Sequence, residues 1–225
     1  MSQHLQREIA RLKKLILSLT AIVEDRVRHA VKSVKERNEE MAQRVISGDI
    51  EIDQREVDIE EECLKLLALY QPVAADLRFI IAVLKINNDL ERISDLAVNI
   101  AERAVFLARQ PKIDVPFDFP LMAEKAQTML RMSLDALVNW QSSMAMEVCA
   151  MDDEVDAINR EMYNQIKDEI RLHPENLDSL IHLLSVSRHL ERIADHATNV
   201  SEDVIYMIEG KIIRHRTEDF AAGSN

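Results

Sequence analysis

The sequence predicts an all-α protein made of two tandem three-helix bundles, and its composition and an internal duplication are the two observations behind this prediction. Only 3 Gly and 5 Pro occur among the 225 residues, and aromatic residues make up 4% of them. This composition favours helices and disfavours twisted sheets, whose strands are enriched in aromatic and β-branched residues. A chain of this length can bury a substantial core without a disulfide or a structural metal.

The two halves of the chain share a sequence pattern. Segment 90–102 reads LERISDLAVNIAE and segment 190–202 reads LERIADHATNVSE, so eight of the thirteen residues are identical. Upstream, the DIEID of 49–53 matches the DDEVD of 152–156. Two matches at a nearly constant offset indicate that the duplicated unit is a whole trio of helices. Two three-helix bundles in tandem are the simplest architecture for such a chain.

The first half predicts three helices. Apolar residues recur at alternating three- and four-residue spacings up to Met41, which is typical of one long amphipathic helix, and Gly48 is a natural stop for it. A second helix should cover 49–70, because Pro72 disfavours helical geometry in the residue before it and suits the first turn of a new helix. The third helix should then run over 73–108.

A proline-containing segment divides the two halves. Three of the five prolines fall within 110–120, which predicts an extended linker. The apolar spacing restarts at Met122, and we expect a break around 151–153, a helix ending at Leu172 and another helix after Pro174. The expected units are a first repeat over 1–110, a linker over 111–120, a second repeat over 121–210 and a C-terminal tail over 211–225.

Charge and hydropathy exclude several functions. The formal net charge is −12 and the pI is about 5.1, so the chain repels phosphodiester backbones and should not bind nucleic acid. No uninterrupted apolar run approaches the ~20 residues of a membrane helix, and the charged N-terminus does not resemble a secretory signal. We therefore expect a cytoplasmic protein with only peripheral membrane association. Cys63 and Cys149 form no CxxC pair, which favours buried reduced thiols.

An acidic stripe runs along the predicted third helix. At about 100° per residue, Glu91, Asp95 and Glu102 lie within about 40° of one another, with Asn99 beside them. The simplest alternative is the solvated face of an amphipathic helix. A binding function is favoured because the stripe lacks Lys or Arg at the i+4 positions that usually relieve such repulsion. The second repeat reproduces the stripe with Glu191, Asp195, Asn199 and Glu202.

A second acid pair with i, i+4 spacing precedes each stripe. Asp49 and Asp53 form this pair in the first half, and Asp152 and Asp156 form it in the second. Asp49 follows Gly48 and Asp152 follows the expected break, so helix capping and metal ligation are equal alternatives for these two residues. Antiparallel helices would bring each pair next to its stripe, where crowded carboxylates either take up protons or gather cations. The charge balance favours two or more divalent ions per patch.

The doubled motif resembles that of the PhoU family of phosphate-signalling regulators. The resemblance rests on LERISD at 90–95 with Asn99 and Glu102, on the second copy of that pattern, and on QPVAADLR at 71–78. It spans nearly the whole chain and implies a homodimeric adaptor that represses the phosphate-starvation response and phosphate uptake. The implied partners are a phosphate-sensing histidine kinase and the ATPase of the phosphate ABC transporter.

The resemblance also implies multinuclear metal clusters, with Fe, Zn, Mn or Mg as the ions. Carried over by position, the metal-site residues are Asp49, Asp53, Glu91 and Asp95 in the first repeat and Asp152, Asp156, Glu191 and Asp195 in the second. The additional metal-site candidates are Asn99, Glu102, Asn199 and Glu202. Arg188 replaces Asn88, which argues against equal metal content in the two repeats. Asp76 and Arg78 lie in a segment without a close copy and are candidate partner contacts.

Two other functions compete with the regulator hypothesis. A carboxylate-bridged di-metal enzyme or a metal-storage protein would also place carboxylates on a helical bundle, but such sites use Glu-x-x-His, and no His here has Glu three residues before it. A metal-free coiled-coil scaffold would not need the doubled acid motifs. We assign no catalytic residue, because the chain has no nucleophile elbow, P-loop or Cys–His pair. His182, His189 and His196 should form a polar flank or a partner-facing strip on the last helix.

Overall fold

The computed structural model describes residues 3–113 and 119–212, and within these ranges the chain forms seven α-helices, one short 3₁₀-helix and no strand. The elements in chain order are α1 (Gln3–Glu36), α2 (Glu39–Ser47), α3 (Asp49–Tyr70), α4 (Ala74–Ala108), α5 (Phe119–Asn139), α6 (Ser142–Leu172), the 3₁₀-helix Pro174–Asn176 and α7 (Leu177–Glu209). The all-α prediction is therefore confirmed.

The predicted first helix is divided into two. Arg37 follows the last residue of α1 in a left-handed conformation with φ 53°, and the Asn38 side chain caps α2 by accepting a hydrogen bond from the Met41 N–H at 2.9 Å. The Asn38 N–H donates to the Ser33 carbonyl at 2.9 Å and closes α1. The apolar periodicity continues across this turn and so does not reveal it.

The same turn recurs in the second repeat. Trp140 has φ 56°, and the following N–H donates to the Ala136 carbonyl at 3.0 Å. The break expected around 151–153 is wrong, because α6 passes through these residues without interruption. Where the first repeat has Gly48, the second has Met151, which is a good helix former. Helix α6 thus corresponds to α2 and α3 joined into one helix.

The other predicted helix boundaries agree closely with the structure. Helix α3 covers 49–70, α4 begins at Ala74 instead of Val73, and α6 ends at Leu172. Gly210 caps α7 with φ 73°, a conformation that glycine adopts without strain.

The described part of the chain includes only the two ends of the predicted linker. Residues 111–113 are not helical, whereas Pro120 already belongs to α5. The intervening residues 114–118 lie outside the described part of the chain, as do the tail residues from 213 onward.

The long helices α4 and α7 pack against each other and form the centre of the molecule. Helices α1 and α3 lie against α4, and α5 and α6 lie against α7, so each repeat surrounds its own long helix. The core is apolar along both long helices. Its fully buried residues include Ile86, Leu90, Ile93, Leu190 and Ile193.

Polar contacts set the antiparallel register of α4 and α7. Near the start of α4, Lys85 pairs with the buried Asp203 at 3.2 Å. Near its end, Arg103 donates to the Ser185 hydroxyl at 3.3 Å. Because residue numbers rise along α4 as they fall along α7, the two long helices pack antiparallel at the contact between the repeats.

The three histidines of α7 lie along this interface. His182 stacks on Phe106 with ring centroids 3.7 Å apart, and His196 Nδ1 lies 2.8 Å from a carboxylate oxygen of Asp89. Between them, a ring nitrogen of His189 lies 3.2 Å from the Ser185 hydroxyl. The predicted polar flank or partner-facing strip is therefore wrong, because α4 covers this side of α7.

The two cysteines lie in different helices, Cys63 in α3 and Cys149 in α6. Cys63 is buried, Cys149 is partly buried, and neither forms a disulfide. Across 3–113 and 119–212, no helix combines the length and the apolar character that a membrane span needs.

Candidate functional site

The first carboxylate patch comprises Asp49 and Asp53 of α3 with Glu91 and Asp95 of α4. Burial raises the pKa of Glu91, and the charges of Asp95 and, more weakly, Asp53 raise it further. Burial also raises the pKa of Asp49, and Asp53 and Asp95 add to this rise. Since charges on each helix act on acids of the other, the four predicted residues of the first repeat lie near enough to interact electrostatically.

A buried arginine of α1 supports this patch. The Arg26 side chain is 8% exposed, and its Nη1 donates to Asp49 Oδ1 at 2.8 Å and to Ser94 Oγ at 3.1 Å. The Ser94 hydroxyl donates to the same Asp49 oxygen at 3.2 Å. A buried guanidinium requires such a partner, and its charge opposes the rise in the Asp49 pKa. Sequence reasoning missed Arg26, although a charged residue between Val23 and Val27 on the apolar face of α1 was a usable signal.

The second carboxylate patch comprises Asp152 and Asp156 of α6 with Glu191 and Asp195 of α7. Burial raises the pKa of Glu191, and Asp195 and Asp156 raise it further. Burial likewise raises the pKa of Asp195, with added contributions from Asp152 and Asp156. The Thr198 hydroxyl donates to Asp152 Oδ1 at 3.1 Å. The four predicted residues of the second repeat therefore also lie near enough to interact electrostatically.

The two patches differ in the positive charges around them. Met129 occupies in α5 the place that Arg26 occupies in α1, and it is fully buried. Arg188 acts on the second patch, where its charge opposes the rise in the Glu191 pKa. Each patch thus has an exposed arginine at its edge, since Arg92 pairs with Glu91 at 3.3 Å and with Asp95 at 3.2 Å in the first. The first patch differs in having a buried cation, Arg26, at its base.

Helix capping does not explain the first aspartate of either acid pair. Gly48 is the N-cap of α3, and the Asp49 side chain bonds to Arg26 and Ser94 instead of to a free backbone N–H. Asp152 lies in the interior of α6 and bonds to a side chain of α7. The capping alternative is wrong for both residues, so their carboxylates serve contacts between helices.

The chemistry of the patches suits either protons or cations. All-oxygen donors match hard ions such as Mg²⁺ and Mn²⁺, and Glu91 Oε2 is buried without a hydrogen bond, although Arg92 Nε lies 3.3 Å away. The donor set therefore fits a divalent ion. In the described part of the chain, no group of three or more His, Cys, Asp or Glu side chains converges in metal-binding geometry.

The two additional asparagine candidates form hydrogen bonds outside the patches. The Asn99 side-chain amide donates to the backbone carbonyl of Asp95 at 2.9 Å. The Asn199 amide donates to Asp89 of α4 at 3.4 Å. Their N–H groups therefore fix helix geometry and the contact between the repeats.

The two additional glutamate candidates differ from each other. Glu102 lies 3.7 Å from Arg103, its chain neighbour. Glu202 lies close to the second patch, because it acts together with Asp152 on Cys149. Burial is the main cause that raises the pKa of Cys149 to about 12, and the two carboxylates add to it. Glu202 thus remains a candidate for the second patch.

The candidate partner residues Asp76 and Arg78 lie near the start of α4. Arg78 packs against the end of α7, where its guanidinium lies 3.5 Å from the place a Cβ on Gly210 would occupy. The Arg78 Nε is buried without a hydrogen bond. A cation at a helix C-terminus is favourable, so Arg78 stabilises the contact between the repeats. Substitutions at the partly exposed Asp76 should therefore probe a partner surface more cleanly.

Fold and site together define a class: helical proteins made of two matched repeats that each hold a carboxylate patch between two antiparallel helices. The PhoU domain family matches residues 16–104 and 119–204, one match in each repeat. The chain belongs to the PhoU family.

Individual relatives agree with this assignment along almost the whole chain. A phosphate-specific transport system accessory protein PhoU homolog of Aquifex aeolicus is 39% identical over 214 residues, which are 93% of this chain and 95% of the relative. PhoU homolog 1 of Thermotoga maritima is 30% identical, with coverages of 98% and 96%. The crystal structure of PhoU from Pseudomonas aeruginosa aligns with a TM-score of 0.88 at 32% identity, covering 92% of this chain and 99% of that one.

Proposed function

We propose that this protein is a negative regulator of the phosphate-starvation response and of phosphate uptake, and that it acts as an adaptor and not as an enzyme. The family match in both repeats carries the proposal, because relatives over nearly the whole chain are named accessory proteins of a phosphate-specific transport system. The phosphate transport system regulatory protein PhoU from Streptococcus pneumoniae has a similar structure, with a TM-score of 0.82 at 28% identity.

The proposed partners are a phosphate-sensing histidine kinase and the ATPase of the phosphate ABC transporter. Such partners place the protein in the cytoplasm, with peripheral membrane association through them and with a homodimer as the working form. The net charge of −12 favours basic partner surfaces over nucleic acid. An adaptor of this kind changes gene expression only through the kinase that it contacts.

The proposed cofactors are divalent or trivalent ions bound at both carboxylate patches, with Fe, Zn, Mn and Mg as candidates. Asp49, Asp53, Glu91 and Asp95 would hold the ions of the first repeat, and Asp152, Asp156, Glu191 and Asp195 those of the second. The mutual rise in carboxyl pKa values supports this proposal, since a bound cation relieves the same repulsion that a proton would. The ions would neutralise the patches and hold the helix pairs together.

Deleting the gene tests the regulatory function. We expect phosphate-starvation genes to be expressed in phosphate-rich medium, because the kinase would lose its restraint. Transcript levels in the deletion strain and in a complemented strain measure this effect. Deleting the kinase as well should restore low expression, since an adaptor has no output of its own. Normal repression in the single deletion strain would contradict the proposal.

A further inference from the structure

Three apolar side chains form an exposed line along α3. Ile50 is 79% exposed, Val57 is 44% exposed and Leu64 is 54% exposed. Their seven-residue spacing places them on one face of the helix, over a length of about 21 Å. Single exposed apolar residues are ordinary, but an aligned set on one helix is a surface that water solvates poorly. We call these three residues the α3 apolar stripe.

The second repeat shows that the fold does not need this stripe. Its equivalent positions on α6 carry Asp153, Arg160 and Lys167, all exposed. The buried positions of the two helices match in character, with Ile52 facing the core in α3 and Val155 in α6. The same helix in the same architecture is thus charged outside in one repeat and apolar outside in the other. Packing within the repeat does not account for the difference.

Uncompensated negative charge surrounds the stripe. Apart from the metal-site candidate Asp53, three exposed acids of α3 form no ion pair with any residue that the structure describes: Asp58, Glu60 and Glu61. The two basic side chains of α3 already have acidic partners, because Arg55 pairs with Glu51 at 2.8 Å and Lys65 pairs with Glu62 at 3.1 Å. The stripe therefore has an apolar centre and an acidic rim.

An open cleft between α1 and α3 adjoins the start of the stripe. It has a volume of about 570 Å³, and Leu15, Ile50 and Ile59 provide its apolar wall. Glu51 and Asp58 are among its polar lining residues. A cleft beside an exposed apolar line is a surface into which the side chains of a second helix can pack.

We propose that the α3 apolar stripe is the docking surface for a basic amphipathic helix of a partner protein. This inference rests on the adaptor function proposed above and assigns a surface to it. A helix with apolar residues on one face and Lys or Arg on its flanks matches both the stripe and its rim. A second copy of the chain fits poorly, because a two-fold contact would set one acidic rim against the other. Anionic lipid is disfavoured by the same charge.

Peptide binding to the full-length protein tests this surface. The probe is a fluorescein-labelled 18-residue amphipathic peptide of Leu and Lys, and its counterpart has Glu in place of Lys. Fluorescence anisotropy at low salt should show saturable binding of the Leu/Lys peptide and none of the Leu/Glu peptide. The double substitution Val57→Thr with Leu64→Gln leaves the charge unchanged and should weaken binding by about tenfold or more.

Matched variants in the second repeat control for nonspecific binding of the peptide to exposed apolar or acidic side chains. Tyr163→Thr with Leu172→Gln removes two exposed apolar side chains of α6 and should leave peptide affinity unchanged. For charge, Glu60→Gln with Glu61→Gln should weaken binding and flatten its salt dependence. The control Glu147→Gln with Glu161→Gln removes the same amount of charge from α6. It should have little effect on the peptide affinity or on its salt dependence. Circular dichroism and melting temperature verify that every variant is folded.

Three outcomes would overturn the inference: no binding of the Leu/Lys peptide to the wild type, equal weakening by the α3 and α6 variants, or a stripe substitution that alters self-association without altering peptide binding. The last outcome would assign the stripe to a second copy of the chain. All three are independent of the phenotype of the deletion strain, so the adaptor function can stand when this surface fails.

Discussion

Arg26 changes the chemistry of the first carboxylate patch without being exposed in it. Its guanidinium holds Asp49 through a 2.8 Å ion pair, so an incoming cation must compete with a charge that is already present. In the second repeat the uncharged Met129 occupies the position equivalent to Arg26. Arg188 acts on Glu191 from the edge of the second patch. The second patch should therefore bind the first equivalent of metal more tightly than the first patch does.

Removing two carboxylates tests the metal proposal residue by residue. Glu91→Gln with Asp95→Asn should abolish metal binding in the first repeat and leave the second repeat loaded, because each patch takes all its ligands from its own helices. Elemental analysis after loading with Mn²⁺ would measure the loss as about half of the bound ions or less. Glu60→Gln with Glu61→Gln is the matched control. A wild type that binds no ion under any metal supply contradicts the proposal.

The lowered pKa of His182 predicts that the stability of the protein depends on pH. Burial lowers the pKa of His182, and Arg103 lowers it further while Asp178 opposes them, so the folded state binds its proton less tightly than the unfolded state. Below a pH of about 6.5 the unfolded chain gains a proton that the folded chain resists, and stability falls. Urea unfolding at pH 7 and pH 5 should show that the wild type loses more stability than His182→Gln. Equal losses in the two proteins would show that His182 titrates normally.

Site residues were predictable where their signal is local. Acids spaced i, i+4 fall on one face in any helix, so the pairing of Glu91 with Asp95 and of Glu191 with Asp195 followed from their spacing. Their metal-site role came from the duplicated pattern and from the family resemblance, and it stays a prediction. Arg26 was not found, because its contact joins α1 to residues of α3 and α4. The histidines of α7 were misplaced for the same reason, since the helix that covers them lies in the other repeat.

The helices of the first repeat are interrupted at one more position than those of the second. Both repeats turn at a left-handed residue, Arg37 or Trp140, but only the first repeat breaks again at Gly48. A Cβ at this glycine would lie 2.5 Å from Arg26 Nη2. The second break and the buried arginine therefore belong to one arrangement, and the second repeat has neither.

Coupled substitutions test this link between helix and side chain. Gly48→Ala alone should fail to stabilise the protein, since the added methyl group displaces Arg26 from Asp49. In an Arg26→Met background, which copies Met129 of the second repeat, Gly48→Ala should be more favourable by about 1 kcal/mol. A double-mutant cycle from urea unfolding of metal-free protein measures this coupling. A coupling energy of zero would mean that the glycine is retained for an unrelated reason.

Element predictions succeeded where amphipathic periodicity or proline marked the helix. Helices α3, α4 and the end of α6 follow such signals. The turns at Arg37 and Trp140 have no glycine or proline, and their backbone strain is offset by hydrogen bonds to the preceding helix turn. No pattern within a short window of sequence encodes that compensation.

In the molecule as a whole, the α4–α7 interface joins the repeats into one structural unit. Lys85, Arg103 and His196 contact residues of α7 or α4 across it, so the interface is polar at intervals along an apolar core. Such an interface couples the stability of the two repeats. Independent unfolding of each repeat is not expected.

Breaking one interface ion pair should destabilise both repeats together. Lys85→Met removes a partner of the buried Asp203 and should cost about 1–3 kcal/mol, because Asp203 cannot regain full hydration. Circular dichroism reports all helices, and fluorescence of the single Trp140 reports a residue that stacks on Phe79 of the first repeat. The two urea transitions should coincide and shift equally. As a control, Arg171→Met removes one partner of an exposed ion pair and should change stability by less than about 0.5 kcal/mol. Separate circular dichroism and fluorescence transitions would refute the coupling between the two repeats.

The antiparallel packing of α4 against α7 suggests how this chain arose. A half-length ancestor with one trio of helices would have exposed the apolar face that its longest helix now buries against the other repeat. Without a second repeat, a second identical molecule related by a two-fold axis could bury that face. Gene duplication and fusion would then have turned a homodimer into a single polypeptide. Once the halves were linked, each was free to diverge, and Arg26 now stands in one repeat where Met129 stands in the other.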